Sequence, residues 1–510
     1  MGFQHGAQHR FLGGLRNGAE GVVYVAFVDA AEIQTVTLCR NPVGGGKAYH
    51  DFAAAVADVA AQPGKPHAAP TDDPPQLTGG DGQVGADDHD AAALVRSVLP
   101  DALFNRFADV FPADGQVMQA PVVCQNQHAQ GKGLTADLHK PGGGTDAALQ
   151  VVAGHALACG ADLVLELPVV YATASAQIFA TGGVALLQNA GLVDTLLFGS
   201  ECPDLAALKN IADRLSEESP AYQALLRQAL QEGSSYAAAR AKAIENPAYA
   251  EILAQPNNIL AIEYLGALSR LDSSMTPLCL QRQGAGYHET SLDEDMASAS
   301  GIRHFLADHP QMSDQELALL LDQIPEALHA SVKELIHDGQ FLFADDTSLL
   351  LHYALTETQD FTEIADSNFD ILNKILQNRH LFASFHSFCQ LLKSKDLAYS
   401  RISRVLCHIL LDIKKQDMLL PNDTCPLDAK ELAPYLRILG FSDNGRPLLK
   451  QIKKNGTVPL ITSPQNAKGL LSPEAMHLLD KDIFASDVYR MMLSNKTGQF
   501  FPNEYTRKFS

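Results

Sequence analysis

Tryptophan is absent from the 510 residues, and no apolar run reaches the stretch of about eighteen that a membrane-spanning helix needs. Met1 to Arg16 carries His, Gln and Gly where a signal peptide needs an apolar core, so export is not expected. Paired cysteines are also lacking: the eight are scattered and no two form Cys-x-x-Cys. That spacing speaks against a disulfide framework or a zinc site and predicts reduced thiols in a cytoplasm. Cations are scarce, with 38 Lys plus Arg against 59 Asp plus Glu and a net charge of −21. Such a balance excludes a protein that coats nucleic acid or an anionic membrane with its whole surface, and leaves room for a local basic patch. With 46% hydrophobic residues, the length accommodates two or three domains at about 150 residues each.

The scarcity is uneven. The first 150 residues hold four Lys and two Glu beside fourteen Asp and seven His. Gly and Pro recur there in runs (Gly44-Gly45-Gly46, Pro63 to Pro75, Gly142-Gly143-Gly144), and few stretches keep a helical or alternating period. Leu94 to Phe111 is the best helix candidate. Residues 1–154 therefore read as an atypical, poorly ordered region, with a small domain as the alternative. Their composition is compatible with a shifted or opposite-strand reading frame, or with a gene fusion.

From about His155 the texture becomes that of an ordinary globular protein. Ala161 to Val170 (ADLVLELPVV) is a nearly continuous apolar run, as expected of a parallel strand covered on both faces. Thr173 to Ala190 reads as a helix weakened at Gly182-Gly183, and Asp194 to Phe198 as a second strand. Strand, helix, strand predicts a βαβ unit and an open α/β sheet. Helices follow at Leu205–Ser216, Tyr222–Glu232 and Asn258–Leu271, then a strand at Thr276–Leu280 and a helix from Ser298. Beyond Ser313 amphipathic helices dominate, which predicts a separate helical domain over 311–510 after an α/β part over 155–310.

Two glycine motifs fail on context. Gly80-Asp81-Gly82-Gln83-Val84-Gly85 has dinucleotide-fingerprint spacing but neither a strand before it nor a helix opening within it. Gly44-Gly45-Gly46-Lys47 lacks the leading Gly and the Ser/Thr of a phosphate loop. His5 and His9 are four apart without a third ligand, so they form no zinc site.

Four later features suit a nucleotide. Phe198-Gly199-Ser200-Glu201 closes a predicted strand, where open α/β sheets bind ligands and where a residue without a Cβ admits a flat base or a phosphate. Ser200 is equally a candidate cap of the next helix. Pro256-Asn257-Asn258 opens a helix, its Asn residues serving as caps or one of them hydrogen-bonding a ligand. Arg282 ends a strand before Gly284-Ala285-Gly286, fit for phosphate or carboxylate or for a surface ion pair. Met296 to Arg303 (MASASGIR) gathers Ser298, Ser300 and Arg303 at a helix start, a ready anion site or plain capping. Basic residues cluster late: Arg401 and Arg404 in one group, Arg437, Arg446, Lys450 and Lys453 in another. They form either solvated helix faces or a polyanion dock.

Taken in order, CGADLVLELPVVYATASAQIFATGGVALL from Cys159, LFGSE, PNNILAIEYL, RQGAGYHE, ASASGIR, YSRISRVLCHILL, YLRILGFSDNGRPLLK and DIFASDVY resemble the bacterial tRNA(Met) cytidine acetate ligase family over about 155–490. The resemblance implies a nucleotidylyltransferase-like (Rossmann-like) open parallel sheet, incomplete at its N-terminal part, and an all-helical C-terminal domain that contacts RNA. It implies ATP as a substrate, with magnesium as a companion, and acetate activated as acetyl-adenylate. The acetyl group would pass to the 4-amino group of the wobble cytidine of elongator tRNA(Met). It implies ATP contacts at Gly199, Asn257 and Arg282, with Ser298, Ser300 and Arg303 in the nucleotidylyltransferase second signature. The family's opening Glu-Tyr-Asn-Pro-Phe-His-x-Gly-His segment is absent, and residues 1–154 stand in its place. Two further readings follow: a tRNA-binding relative without catalysis, and a nucleotidylyltransferase acting on a small metabolite.

Overall fold

The computed structural model describes residues 22–28, 33–40, 120–126 and 149–506, apart from 218, 233–235, 245, 282–296, 298, 396 and 419–426. The chain divides into two units, Met1–Glu20 with Pro42–Asp101 and Gly21–Asn41 with Ala102–Ser510. Every described residue lies in the second. The glycine motifs at 44–47 and 80–85, His5, His9 and the helix expected at 94–111 fall outside the described residues.

In chain order the elements that frame the site are strands β1 (Val22–Val28), β2 (Ile33–Arg40) and β3 (Ala120–Asn126), helix α1 (Leu149–Ala158), strand β4 (Leu163–Leu167) and helix α2 (Ala176–Ala190). Strand β5 (Thr195–Ser200), helix α3 (Pro256–Arg270), strand β6 (Thr276–Gln281) and helix α4 (Ala299–Asp308) follow. Helix α5 (Tyr399–Leu411), strand β7 (Leu436–Phe441), helix α6 (Arg446–Asn455), strand β8 (Leu460–Ile461) and helix α7 (Pro473–Thr497) complete the set. Further helices lie between α3 and α5 and elsewhere, at Asp314–Asp322, His329–His337, Ser348–Glu357, Phe369–Asn378 and Phe385–Leu392 among others.

Among the described residues the strands form one eight-stranded sheet in the order β6-β5-β2-β1-β3-β4-β7-β8. β5 and β6 pair in parallel, with Phe198 opposite Cys279 and Ser200 opposite Gln281, and β7 and β8 also pair in parallel. Four successive antiparallel pairings lead from β4 through β3, β1 and β2 to β5, so β4 and β5 run the same way. The β4-α2-β5 unit keeps the direction a βαβ crossover requires. β1, β2 and β3 occupy the space between its two strands.

β4 explains the apolar run ADLVLELPVV. All five of its residues are buried. Leu163, Leu165 and Leu167 point to one core with α2, α3 and Ile438, whereas Val164 points to a second core with Ala153, Ile302 and Leu439. Period-two alternation thus puts apolar atoms on both faces. The C-terminal half is mainly helical rather than all-helical as expected: it returns β7 to the sheet beside β4, with β8 paired to β7. The reason is visible in Leu436-Arg437-Ile438-Leu439, which are all buried. Each such aliphatic side chain contributes about 1.5–3 kcal/mol. Among the described residues no helix is long and apolar enough to cross a membrane.

Candidate functional site

The carboxyl ends of β5 and β6 meet the start of α3. Gly199 is half-buried, one residue from the end of β5 and opposite Leu280. The hydroxyl of buried Ser200 donates to Asn258 Oδ1 at 2.6 Å, and the backbone N–H of Cys202 donates to the same oxygen at 2.8 Å. The Asn258 carboxamide donates in turn to the Ile252 carbonyl at 3.0 Å. Glu201 closes the arrangement. One of its oxygens accepts from the Asn257 carboxamide at 2.7 Å and from the Asn257 backbone N–H at 3.2 Å, and the other accepts from the Asn258 N–H at 2.8 Å.

These bonds correct two expectations. Ser200 does not cap the next helix: that role belongs to Asp204, whose Oδ1 accepts from the N–H groups of Ala206 and Ala207, each at 3.0 Å. Neither Asn257 nor Asn258 caps α3 either, because both sit inside its first turn behind Gln255, and the carboxylate that satisfies their N–H groups comes from Glu201. A helix start leaves such donors unpaired, and an anion there also meets the positive end of the helix dipole. Glu201 and Asn258 were not singled out as site residues from the sequence. The signal was an acid two residues after a strand-closing Gly, followed fifty-odd residues later by a doubled Asn at a helix start.

Beside this cluster the Cys279 thiol donates to the Cys202 carbonyl at 3.5 Å, and burial pushes it up to about 12, so it stays protonated. None of Cys159, Cys202, Cys279, Cys389 and Cys407 is in a disulfide.

The remaining nucleotide candidates divide. Arg282 and Ser298 fall outside the described residues. Ser300 lies in the first turn of α4, and Arg303 is buried one turn further on, next to Ile302 in the second core. The N–H of Ala297, just before α4, is met by Gln323 Oε1 at 2.9 Å. α3 and α4 therefore line different cores, one on each side of β4.

The basic candidates divide too. Arg446, Lys450 and Lys453 are exposed along one face of α6 at i, i+4 and i+7, while Leu448 and Ile452 bury the other face. Arg446 is 70% exposed and its nearest acid, Asp443, lies 3.4 Å away. Arg401 and Arg404 on α5 both turn to Asp366. Arg404 donates to it from Nε at 3.0 Å and from Nη2 at 2.7 Å, and Arg401 lies 3.7 Å from its other oxygen. Arg437 does not belong with the RNA candidates. It is 2% exposed on β7 and bound between Glu166 and Glu504, because its position in the strand points it inward.

Comparison with known proteins places this geometry. Residues 152–502 match the HIGH Nucleotidyl Transferase family. The tRNA(Met) cytidine acetate ligase of Clostridium kluyveri is 35% identical over 353 residues, covering 66% of this chain and 83% of its own length. The enzyme of the same name from Caldanaerobacter subterraneus subsp. tengcongensis is 34% identical over 348 residues, covering 67% and 82%. The chain belongs to the tRNA(Met) cytidine acetate ligase family. Its fold agrees with that of TmcAL from Thermotoga maritima in the apo form, with a TM-score of 0.62 and 26% identity over 68% of this chain and 83% of that one. TmcAL bound with alpha-thio ATP matches at a TM-score of 0.59 and 25% identity, over 68% and 82%. The family match begins three residues before His155, where the sequence changes texture.

Proposed function

We propose that the chain is an ATP-dependent ligase that joins acetate to the 4-amino group of the wobble cytidine of elongator tRNA(Met), in the cytoplasm. The observation that carries the reading is the junction of β5 with α3. There Glu201, two residues after Gly199, holds the Asn257 carboxamide at the carboxyl end of parallel strands, and the resemblance implies ATP contacts at Gly199 and Asn257. Arg282 follows β6 in the sequence and is the third position that the resemblance assigns to ATP. In this reading residues 155–310 take the nucleotide, and the helical part from 311 takes the RNA through α6 and the Arg401–Arg404 face of α5.

The chemistry has two steps. An acetate oxygen attacks the α-phosphorus of ATP and pyrophosphate leaves with its electron pair. The cytidine amine then attacks the acetyl carbon, AMP leaves, and the amine loses a proton. Donors held in advance must meet the charge that grows on the leaving pyrophosphate. Arg282, Ser298, Ser300 and Arg303 are the candidates for that task. Among the described residues no cluster of His, Cys, Asp and Glu is placed to hold a metal ion. Magnesium in this reading arrives on the triphosphate.

The absent His-x-Gly-His segment supports the second reading, a relative that binds tRNA without acetylating it. One experiment separates them: the full chain incubated with labelled acetate, ATP and unmodified tRNA(Met). Acetylcytidine in the recovered tRNA is expected. A gel shift of the tRNA without acetylcytidine would favour the second reading. Pyrophosphate release with no RNA present would point to a small-metabolite transferase instead.

A further inference from the structure

Five hydrogen bonds join Ser200, Glu201 and Cys202 to Asn257 and Asn258, and Glu201 accepts three of them. We propose that Glu201 is a positioning residue for the adenosine end of ATP, holding the Asn257 carboxamide in place and turning the triphosphate away from α3. The inference rests on the reading that ATP sits at Gly199 and Asn257.

The start of a long helix ordinarily attracts phosphate, because its N–H groups are unpaired and its dipole is positive there. α3 has fifteen residues, yet the N–H groups of Asn257 and Asn258 are already taken by a carboxylate. A phosphate brought to the same amides meets a like charge. The triphosphate must run elsewhere, and what is left at this corner is the uncharged part of the nucleotide. Gly199 has no Cβ to keep a flat base off the end of β5. Asn257 is held by Glu201, two residues after Gly199, and a carboxamide carries both a donor and an acceptor, the pair that an adenine edge requires.

Which way that carboxamide faces is decided by Glu201. An Asn amide can be turned over with little change of shape, and only its partners select one orientation. Here the nitrogen is committed to Glu201 at 2.7 Å, a charge-assisted bond stronger than a neutral one. Glu201 is itself fixed from two sides by the helix N–H groups. Ser200 and Cys202, its chain neighbours, are pinned to Asn258 Oδ1. Glutamine in place of Glu201 keeps the length but offers a single accepting oxygen, and its NH2 would face a helix N–H. Aspartate keeps the charge and falls one methylene short.

The test is equilibrium binding of ATP and of adenosine to the full chain, its Glu201→Gln and Asn257→Ala variants and the double variant, each checked by its melting curve. Glu201→Gln is expected to weaken ATP and adenosine by about the same factor, on the order of tenfold. In the Asn257→Ala background it is expected to cost nothing more. Glu201→Asp, which keeps an anion at α3, is expected to lie between wild type and Glu201→Gln, and it serves where the Gln variant does not fold. Unchanged ATP affinity in both variants overturns the proposal. So does a loss for ATP but not for adenosine, or losses that multiply in the double variant as a merely structural latch would give. A wild-type chain that binds neither ligand removes the ATP reading and this inference together, whereas wild-type binding with an indifferent Glu201 removes the inference alone.

Discussion

Arg437 on β7 forms an ion pair with Glu166 on β4, 2.7 Å apart, and both side chains are closed off from solvent. Glu504, near the end of the chain, grips the same guanidinium from another direction. Two carboxylates and the Asp482–Tyr435 pair, joined at 2.6 Å, surround one buried cation. Removing one partner of such a group leaves the other charges buried and unpaired, which costs far more than the intact pair contributes. Arg437→Leu is expected to destabilise the chain by about 3–5 kcal/mol in denaturant unfolding. While folded, it should bind tRNA with an unchanged salt dependence. A loss of tRNA affinity at full stability would return Arg437 to the RNA surface.

The face of α6 behaves in the opposite way. Arg446, Lys450 and Lys453 are exposed, and substitution of exposed residues normally moves stability by less than about 0.5 kcal/mol each. The triple alanine variant is therefore expected to melt like wild type. Each of these cations that pairs with an RNA phosphate should, once replaced, lower the slope of log affinity against log salt by about one. Gel shifts of tRNA(Met) at several salt concentrations measure that slope, and an unaltered slope would place the RNA on another surface.

Asp162, just before β4, accepts the Ser442 hydroxyl, and burial pushes its carboxyl up to about 7 from an ordinary 3.8. A carboxyl whose folded value is raised favours the fold when protonated. Its contribution is complete below the ordinary value and is lost as the pH climbs through about 7. Stability should therefore fall between pH 5 and 8 by an amount on the order of 2 kcal/mol from this group. Asp162→Asn keeps an oxygen for Ser442 and has no charge to bury. It is expected to flatten that fall and to melt above wild type at pH 8. A variant whose profile follows wild type would show that Asp162 is ionised in the fold at little cost.

Much of this fold was legible because its elements obey local rules. Asp314–Asp322, Phe369–Asn378 and Phe385–Leu392 are among the amphipathic helices expected beyond Ser313, since each has a capping residue ahead of it and a regular apolar stripe. β4, β5 and β6 were readable as short apolar runs. β7 was not, because the arginine at its second position looks like a surface residue until Glu166 and Glu504 are brought to it by parts of the chain far away in sequence. The site shows the same division. Gly199 and Asn257 stand out by type and context, but Glu201 acquires its role only when a residue 56 positions away arrives against it. The three strands from residues 22–126 had no pattern of their own strong enough to set them in a sheet.

Gly182 shows how a local rule misleads. In a helix a glycine weakens the backbone by roughly 1 kcal/mol relative to alanine, so Gly182→Ala in α2 looks stabilising. A Cβ at that position would stand 2.3 Å from Cγ of Tyr171, a ring that is fully buried and whose hydroxyl is bonded to the Leu432 carbonyl. The ring has nowhere to retreat, and overpacking of a rigid core costs about 1–3 kcal/mol. Net destabilisation is expected for Gly182→Ala in thermal or denaturant unfolding. The same substitution placed in a Tyr171→Ala background should become neutral or stabilising, because the obstacle is gone and only the helix preference remains. If Gly182→Ala destabilises equally in both backgrounds, the glycine serves something other than the approach of α2 to Tyr171.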